Sequence, residues 1–170
     1  GHLSCYALTL EKDTPLEHLI RRGKSQPLSE EQAARQFELL MDWALNAGFE
    51  QYEISNFARQ GRYSRHNSNY WKGKKYIGIG PSAHSFNGTE RKWNVSNNSK
   101  YIQALMEGKL DYAVEQLSEN NRFNEYLLVS LRTIWGADLN HIRREFGEER
   151  YTSLEKNIVT LISTGKIIIQ

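Results

Sequence analysis

The chain has 170 residues, of which 39% are hydrophobic and 25% are charged, and its net charge is +2 at pH 7. These values are typical of an ordinary globular protein, exclude a disordered chain and argue against nucleic acid as a partner. No apolar run is long enough to span a membrane, and the first residues lack the pattern of a signal peptide. The single cysteine, Cys5, excludes an intrachain disulfide and a metal cluster held by several cysteines of this chain, so a reducing, cytoplasmic setting is expected.

The first predicted element is a strand over residues 3–10, which are of types that suit a buried sheet. The backbone groups of a core strand need partners on both sides. Because this strand begins almost at the first residue, we expect the chain to be a piece of a larger protein, with Gly1 close to the cut. A short helix is predicted next, over residues 16–22, and Gly23 ends it.

A longer amphipathic helix is predicted after Ser29, which forms a capping box with Gln32. Apolar residues at helical spacing continue this helix as far as Gly48. Residues 52–55 predict a short strand. A strand, a helix and a returning strand make a βαβ unit, so the pattern predicts an α/β fold with parallel strands.

A polar and basic loop is predicted over residues 57–75, with a helical turn at 68–71. Residues 76–79 predict another strand. The Asn-Gly pair at residues 87–88 then predicts the tight turn of a hairpin.

A second domain is predicted to begin at a composition break, the polar residues 94–99, so that residues 1–95 and 96–170 form separate domains. The pattern of the second domain is mainly helical, and it ends in a β-branched run over residues 166–170. Its helices are predicted at residues 99–107, 119–135, 139–146 and 151–165. Short helices followed by a strand predict a small winged-helix-like domain, which we expect to be cut short at its C-terminus.

The most unusual segment surrounds His66, which lies among aromatic, amide and basic side chains. Tyr70 follows His66 by four residues and shares its face in a helix, and Trp71 adds a flat surface for stacking. A porphyrin needs such a set, namely an imidazole ligand, aromatic walls and cations for its propionates. The cations of the segment are Arg59, Arg62, Arg65, Lys72, Lys74 and Lys75. The alternative is a structural histidine in a solvated basic loop whose tyrosine and tryptophan cover the core.

Several other residues could have either a functional or a purely structural role. The segment 78–85 lacks the third glycine of a dinucleotide-binding fingerprint, so its glycines are interpreted as strand-end or bulge residues. His84 is either a pocket residue or a core histidine, and we favour the second. Cys5 is interpreted as an inert core residue. Glu53 and Asn56 end a predicted parallel strand, where α/β folds place ligands.

Three segments together resemble a known family: Tyr-Glu-Ile-Ser-Asn-Phe-Ala at 52–58, His-Asn-Ser-Asn-Tyr-Trp at 66–71, and Tyr-Ile-Gly-Ile-Gly-Pro-Ser-Ala-His-Ser at 76–85. They are similar to segments of the HemW-type haem chaperones, which are radical S-adenosylmethionine proteins related to oxygen-independent coproporphyrinogen III oxidase. The resemblance implies that residues 1–95 are the last βα units of an incomplete (β/α) barrel. Residues 96–170 are then its helical, winged-helix-like C-terminal domain.

The resemblance also implies which residues bind ligands. His66 is the candidate axial ligand of the haem iron, and Asn67, Tyr70 and Trp71 shape its pocket. Weaker candidates for a substrate or cofactor pocket are Glu53, Asn56, Arg65 and His84. Members of the family hold a [4Fe-4S] cluster on a CxxxCxxC motif and bind S-adenosylmethionine. This chain lacks that motif, so we expect it to bind neither and to be inactive by itself.

The function that the resemblance implies is that of a cytoplasmic chaperone, which binds haem and passes it to an apoprotein. One alternative is radical oxidative decarboxylation of the propionates of coproporphyrinogen III. Another is an interaction module in which the winged-helix-like domain meets DNA or a protein, although charges of both signs mix over residues 143–150. An exposed barrel edge also allows the fragment to form a dimer.

Overall fold

The computed structural model describes residues 1–27 and 29–169. The chain forms two compact units, Gly1–Arg65 and His66–Gln170. Within the described residues, seven helices and two three-stranded sheets form a mixed helix-and-sheet fold without a closed barrel. None of the helices in those residues is both long and apolar enough to cross a membrane.

The first unit contains one small antiparallel sheet and two helices. Its elements are β1 (His2–Ser4), α1 (Pro15–Arg21), α2 (Glu30–Asn46), β2 (Glu50–Gln51) and β3 (Asn56–Ala58). The strand order is β1-β3-β2, and β3 pairs antiparallel with both neighbours. The predicted parallel pairing is therefore wrong. The four residues between β2 and β3 reverse the chain, since so short a connection joins only antiparallel strands, and β1 pairs with the reversed strand β3 rather than with β2.

Helix boundaries in this unit follow the capping residues. The Thr14 hydroxyl accepts a hydrogen bond from the backbone N–H of Glu17 at 3.3 Å. The Ser29 hydroxyl accepts one from the N–H of Gln32 at 3.1 Å, which confirms the predicted cap of α2. Gly48, with a φ of +75°, follows the end of that helix as expected.

The predicted strand over residues 3–10 is correct only at its beginning. The strand β1 ends at Ser4, and Cys5 continues the pairing with a single hydrogen bond from its N–H to the Ser55 carbonyl at 2.7 Å. Tyr6 and Leu8 are exposed, since no strand of the described residues pairs with them. Cys5 itself is half-buried, so its interpretation as a core residue is wrong.

The most buried side chains of the first unit belong to the hairpin formed by β2 and β3. Tyr52 and Phe57 are fully buried. The Tyr52 hydroxyl lies 2.8 Å from Nε2 of His2, and it accepts a hydrogen bond from the Ser64 N–H at 3.3 Å. This buried phenol therefore ties the first strand to the segment that leads into the second unit.

The second unit combines an antiparallel sheet with five helices. The first of these helices begins at Arg65, one residue before the start of the unit. The elements are α3 (Arg65–Trp71), β4 (His84–Phe86), β5 (Glu90–Asn94), α4 (Asn98–Met106), β6 (Tyr112–Gln116), α5 (Glu119–Ser130), α6 (Leu139–Phe146) and α7 (Glu148–Ser163). The strand order is β4-β5-β6, and each pair is antiparallel. Because β6 pairs with β5, the predicted domain boundary after residue 95 lies inside the second unit; it stays a prediction.

The hairpin between β4 and β5 confirms the Asn-Gly prediction. The Asn87 side chain accepts hydrogen bonds from the N–H groups of Thr89 and Glu90 at 2.9 and 2.8 Å, and Gly88 has a φ of +106°. The predicted strand over residues 76–79 is wrong, since within it only Tyr76 pairs, with Phe86. The N–H of Gly78 donates instead to the side-chain hydroxyl of Ser85.

The C-terminal helices share an aromatic core. The rings of Phe123 and Phe146 meet edge to face at 5.3 Å, and Tyr126 lies 4.6 Å from the His141 ring. The helix α5 ends at Ser130, five residues earlier than predicted. Residues 166–169 form no strand, so the predicted β-branched strand is wrong in the part that the structure describes; Gln170 lies outside it.

Charged residues on these helices pair with one another. Nε of Arg143 lies 2.9 Å from a carboxylate oxygen of Glu148, and Nε of Arg150 lies 3.3 Å from one of Glu119. The guanidinium of Arg143 also lies over the ring of Tyr151, 4.0 Å from its centroid. Such mixed pairing is typical of a solvated helix face and offers no continuous track for phosphates.

Candidate functional site

The segment around His66 forms the helix α3, so the predicted helical turn is confirmed and is longer than expected. The rings of His66 and Tyr70 lie on the same face, with centroids 4.9 Å apart and planes at 85°. Ser68, midway between them, is buried. One side of the helix therefore packs on the rest of the second unit. The other side, which carries His66 and Tyr70, is exposed.

Ring contacts continue from Tyr70 toward the sheet. The Tyr70 and Tyr76 centroids are 4.8 Å apart at 69°, and the Tyr76 and Phe86 centroids are 6.1 Å apart at 38°. We call the four side chains His66, Tyr70, Tyr76 and Phe86 the aromatic row. Burial raises the pKa of Tyr76, and the nearby Arg91 partly opposes this. The Tyr76 phenol therefore stays protonated at neutral pH.

The His66 imidazole is exposed. Within the described residues of the second unit it forms no hydrogen bond, and its ring contact is the edge of Tyr70. An imidazole held in this way keeps a nitrogen available for a metal. Asn67 and Trp71, the other two residues of the predicted pocket, are half-buried in the same helix.

The cations near this helix are not equivalent. Nζ of Lys72 lies 4.4 Å from the centroid of the Trp135 ring, which is a cation–π contact. Lys74 and Lys75 are exposed. Of the predicted arginines, Arg59 lies in the first unit over the Phe49 ring, at 4.7 Å from its centroid. Of the three predicted lysines, Lys74 and Lys75 are therefore the better candidates for an anionic ligand, because the ammonium group of Lys72 lies on Trp135.

The glycine-rich segment after Tyr76 is held by side chains from other elements. The N–H of Gly78 donates to the Ser85 hydroxyl at 2.9 Å, and the N–H of Gly80 donates to the Tyr101 hydroxyl at 3.1 Å. The Asn94 amide donates to the Gly80 carbonyl at 2.9 Å. A Cβ added to Gly78 would overlap the carbonyl of His84, so a close backbone approach requires this glycine.

His84 lies beside an open groove at the end of the second sheet. The groove has a volume of about 460 Å³. Its lining includes Ser82, His84, Trp93, Asn94, Asp111 and Tyr112. The His84 ring stacks on Trp93 with centroids 6.0 Å apart and planes at 27°. Because His84 is exposed, the favoured interpretation as a core histidine is wrong; its role in a pocket stays a prediction.

Glu53, in the turn between β2 and β3, lies against Asn56, the first residue of β3, and both are buried. The Asn56 amide donates to Glu53, and the Ser55 N–H donates to the other carboxylate oxygen of Glu53 at 3.3 Å. The Ser4 hydroxyl donates to Asn56 Oδ1 at 2.5 Å. These contacts stabilise the turn and attach β1 to it. The premise that both residues end a parallel strand is wrong, and their role in a ligand pocket stays a prediction, as does that of the exposed Arg65.

No protein-family model matches this chain. It is similar to the heme chaperone HemW of Mycobacterium tuberculosis, with 37% identity over 139 residues, which are 81% of this chain and 36% of that protein. It is 31% identical to the heme chaperone HemW of Bacillus subtilis over 147 residues, 86% of this chain and 39% of the relative. The HemW of a Synechocystis strain is 33% identical over 168 residues, 96% of this chain and 40% of the relative.

A solved structure has the same fold. Coproporphyrinogen III oxidase (HemN) from Escherichia coli, described as a radical SAM enzyme, superposes with a TM-score of 0.64 at 16% identity, over 92% of this chain and 40% of the oxidase. The chain belongs to the HemW/HemN-like family. It spans 36% to 40% of the length of these relatives. The match confirms the predicted α/β fold class, a part of a radical SAM fold, although the strands of the described residues pair antiparallel.

Three residues that position this HemW/HemN-like segment were not predicted from sequence. Asn94 and Tyr101 hold the glycine-rich turn, and Tyr76 supports Tyr70. The sequence does contain a signal for Tyr76, because this residue lies two positions before the Gly-Ile-Gly segment. Asn94 and Tyr101 follow that segment by 14 and 21 residues, so only the folded chain reveals their contacts.

Replacing Asn94 with alanine should destabilise the full-length protein by about 1–2 kcal/mol, because the Gly80 carbonyl loses its half-buried donor. Chemical unfolding followed by circular dichroism would measure the change. Asn157→Ala is the matched control, since Asn157 is exposed on α7 and alanine favours a helix. Equal stabilities of the two variants would contradict a clamping role for Asn94.

Proposed function

We propose that the full-length protein is a haem chaperone, which binds haem through the His66 imidazole and passes it to an apoprotein. The observation that carries this proposal is the placement of His66 and Tyr70 on the exposed face of α3. The imidazole is oriented by one aromatic edge and has no hydrogen bond within the described second unit that would compete with a metal. An axial histidine of haem iron needs one ring nitrogen that is free to bind the metal.

The side chains near His66 fit haem as a bound cargo. Tyr70 is 47% exposed and offers an aromatic surface beside the imidazole. The exposed ammonium groups of Lys74 and Lys75 suit carboxylates such as the propionates. Lys72 is less suitable because its ammonium group already lies on Trp135. Asn67 and Trp71 complete the proposed pocket.

The relatives support the same proposal. Each of the three HemW proteins carries the name heme chaperone. The name and fold of the family also suggest a [4Fe-4S] cluster and S-adenosylmethionine in the full-length protein. One cysteine cannot supply three thiolates, so in our proposal residues outside this chain hold the cluster. A cytoplasmic location and a dimer of the chain stay predictions.

A transfer experiment tests this function. The full-length protein, loaded with one equivalent of haem, should convert an apo-haemoprotein to its holo form, as followed by the Soret band of the acceptor. The matched control is free haem at the same concentration with albumin as a competing haem sink. We expect transfer from the loaded protein to persist when albumin removes free haem. Transfer that albumin abolishes equally in both samples would contradict delivery by a chaperone.

A second candidate function is oxygen-independent oxidation of coproporphyrinogen III, which the fold similarity to the Escherichia coli oxidase favours. The reconstituted full-length protein would then form protoporphyrinogen from coproporphyrinogen III under anaerobic conditions with S-adenosylmethionine and a reductant. Chromatographic detection of that product would favour the oxidase. Its absence, together with haem transfer, would favour the chaperone.

A further inference from the structure

We propose that Tyr76 is a positioning residue for the haem ligand, because it fixes the direction of the His66 imidazole through Tyr70. This inference rests on the proposed function. Tyr76 lies outside the His-Asn-x-x-Tyr-Trp segment and has no contact with His66 in the aromatic row. Its influence passes through two ring contacts, from Tyr76 to Tyr70 at 4.8 Å and from Tyr70 to His66 at 4.9 Å.

The contact between His66 and Tyr70 restricts an otherwise mobile side chain. An exposed histidine on a seven-residue helix has several open rotamers. The edge of Tyr70, at 85° to the imidazole plane, favours the rotamers that keep this contact. A ligand that is already oriented loses less conformational entropy when it binds iron.

Tyr70 needs a support of its own, because it is about half exposed. Tyr76 supplies that support at 69° to the Tyr70 ring. The backbone of Tyr76 is fixed to the sheet by two hydrogen bonds with Phe86, each 2.9 Å long. Its ring also rests against that of Phe86. Through the aromatic row, the contacts with β4 therefore restrict the orientation of the proposed iron ligand, His66.

The test compares variants of the full-length protein. Tyr76→Leu removes the ring and should raise the dissociation constant for haem roughly three- to ten-fold, the range expected for one aromatic pair. The electron paramagnetic resonance spectrum of the ferric complex should change from one ligation state to a mixture, because His66 remains but is no longer oriented. Tyr76→Phe keeps the ring contacts and should restore both the affinity and the single ligation state.

Tyr151→Leu is the matched control, since Tyr151 is a half-buried tyrosine on α7 that is outside the aromatic row. We expect its haem affinity and spectrum to equal those of the wild type. If Tyr76→Leu does not fold, Tyr76→Met provides a flexible side chain of similar length, with the same expected loss. A folded ringless variant with wild-type affinity and an unchanged spectrum would overturn the inference.

The outcomes separate this inference from the proposed function. If the wild-type protein shows no haem spectrum that depends on His66, the haem site itself is refuted. If His66 is required for that spectrum but loss of the Tyr76 ring has no effect, only the positioning role fails. A loss that Tyr76→Phe does not restore would also refute positioning by the ring and assign the effect to the hydroxyl group.

Discussion

Replacing His66 with alanine should lower the affinity of the full-length protein for haem by about 100-fold and should shift its Soret band. The imidazole is the proposed bond to iron, and even the loss of groups that only support a metal ligand costs 10- to 100-fold in affinity. The helix α3 should persist, because His66 is exposed and alanine is a good helix former. Haem titration followed by absorbance, together with far-ultraviolet circular dichroism, would measure both effects.

His18→Ala provides the matched control for this experiment. His18 is also a helical histidine, half-buried in α1, and it lies beside Glu17 and Arg21. Its replacement should leave the Soret band and the haem affinity unchanged. If His66→Ala binds haem with the wild-type spectrum and affinity, the assignment of His66 as the axial ligand is wrong.

Replacing Gly78 with alanine should destabilise the protein by roughly 3 kcal/mol or more, at the upper end of the cost of overpacking. The new methyl group would overlap the carbonyl oxygen and the backbone nitrogen of His84, and neither can move without disturbing β4. The strand and the aromatic row would therefore shift together. Urea unfolding would measure the loss, and reduced expression of folded protein would accompany it.

Gly73→Ala separates this steric effect from the cost of backbone conformation. Gly73 has a φ of +59°, and a Cβ added there would meet no atom within 4 Å. We expect a cost of about 1 kcal/mol from the left-handed backbone alone. If Gly78→Ala costs no more than Gly73→Ala, the close approach to His84 does not constrain residue 78.

Local chemistry was sufficient for several predictions. The cap at Ser29, the end of α2 near Gly48 and the turn at Asn87 each depend on groups fewer than five residues apart, and all three were correct. The same holds for His66 and Tyr70, since spacing of four residues places two side chains on one helix face. Such interactions are present in the chain before any tertiary contact forms.

Strand pairing could not be predicted in this way. Apolar content predicted strands at residues 3–10 and 76–79, but a strand exists only where another backbone lies beside it. The strand β6 shows the reverse case, because its exposed residues give little sequence signal and its pairing with β5 defines it. The direction of pairing in the first sheet was likewise decided by the short turn before Asn56.

The positions of most helices, the cap at Ser29 and the composition of the segment around His66 could be read from neighbours along the chain. In contrast, the contacts of Gly78 with His84, of Asn94 with Gly80 and of Tyr76 with Tyr70 appear only in the folded chain. These contacts join residues whose approach depends on how β4, β5 and the preceding loop fold together. For the proposed haem ligand, the residue type was readable from sequence, whereas its orientation depends on packing.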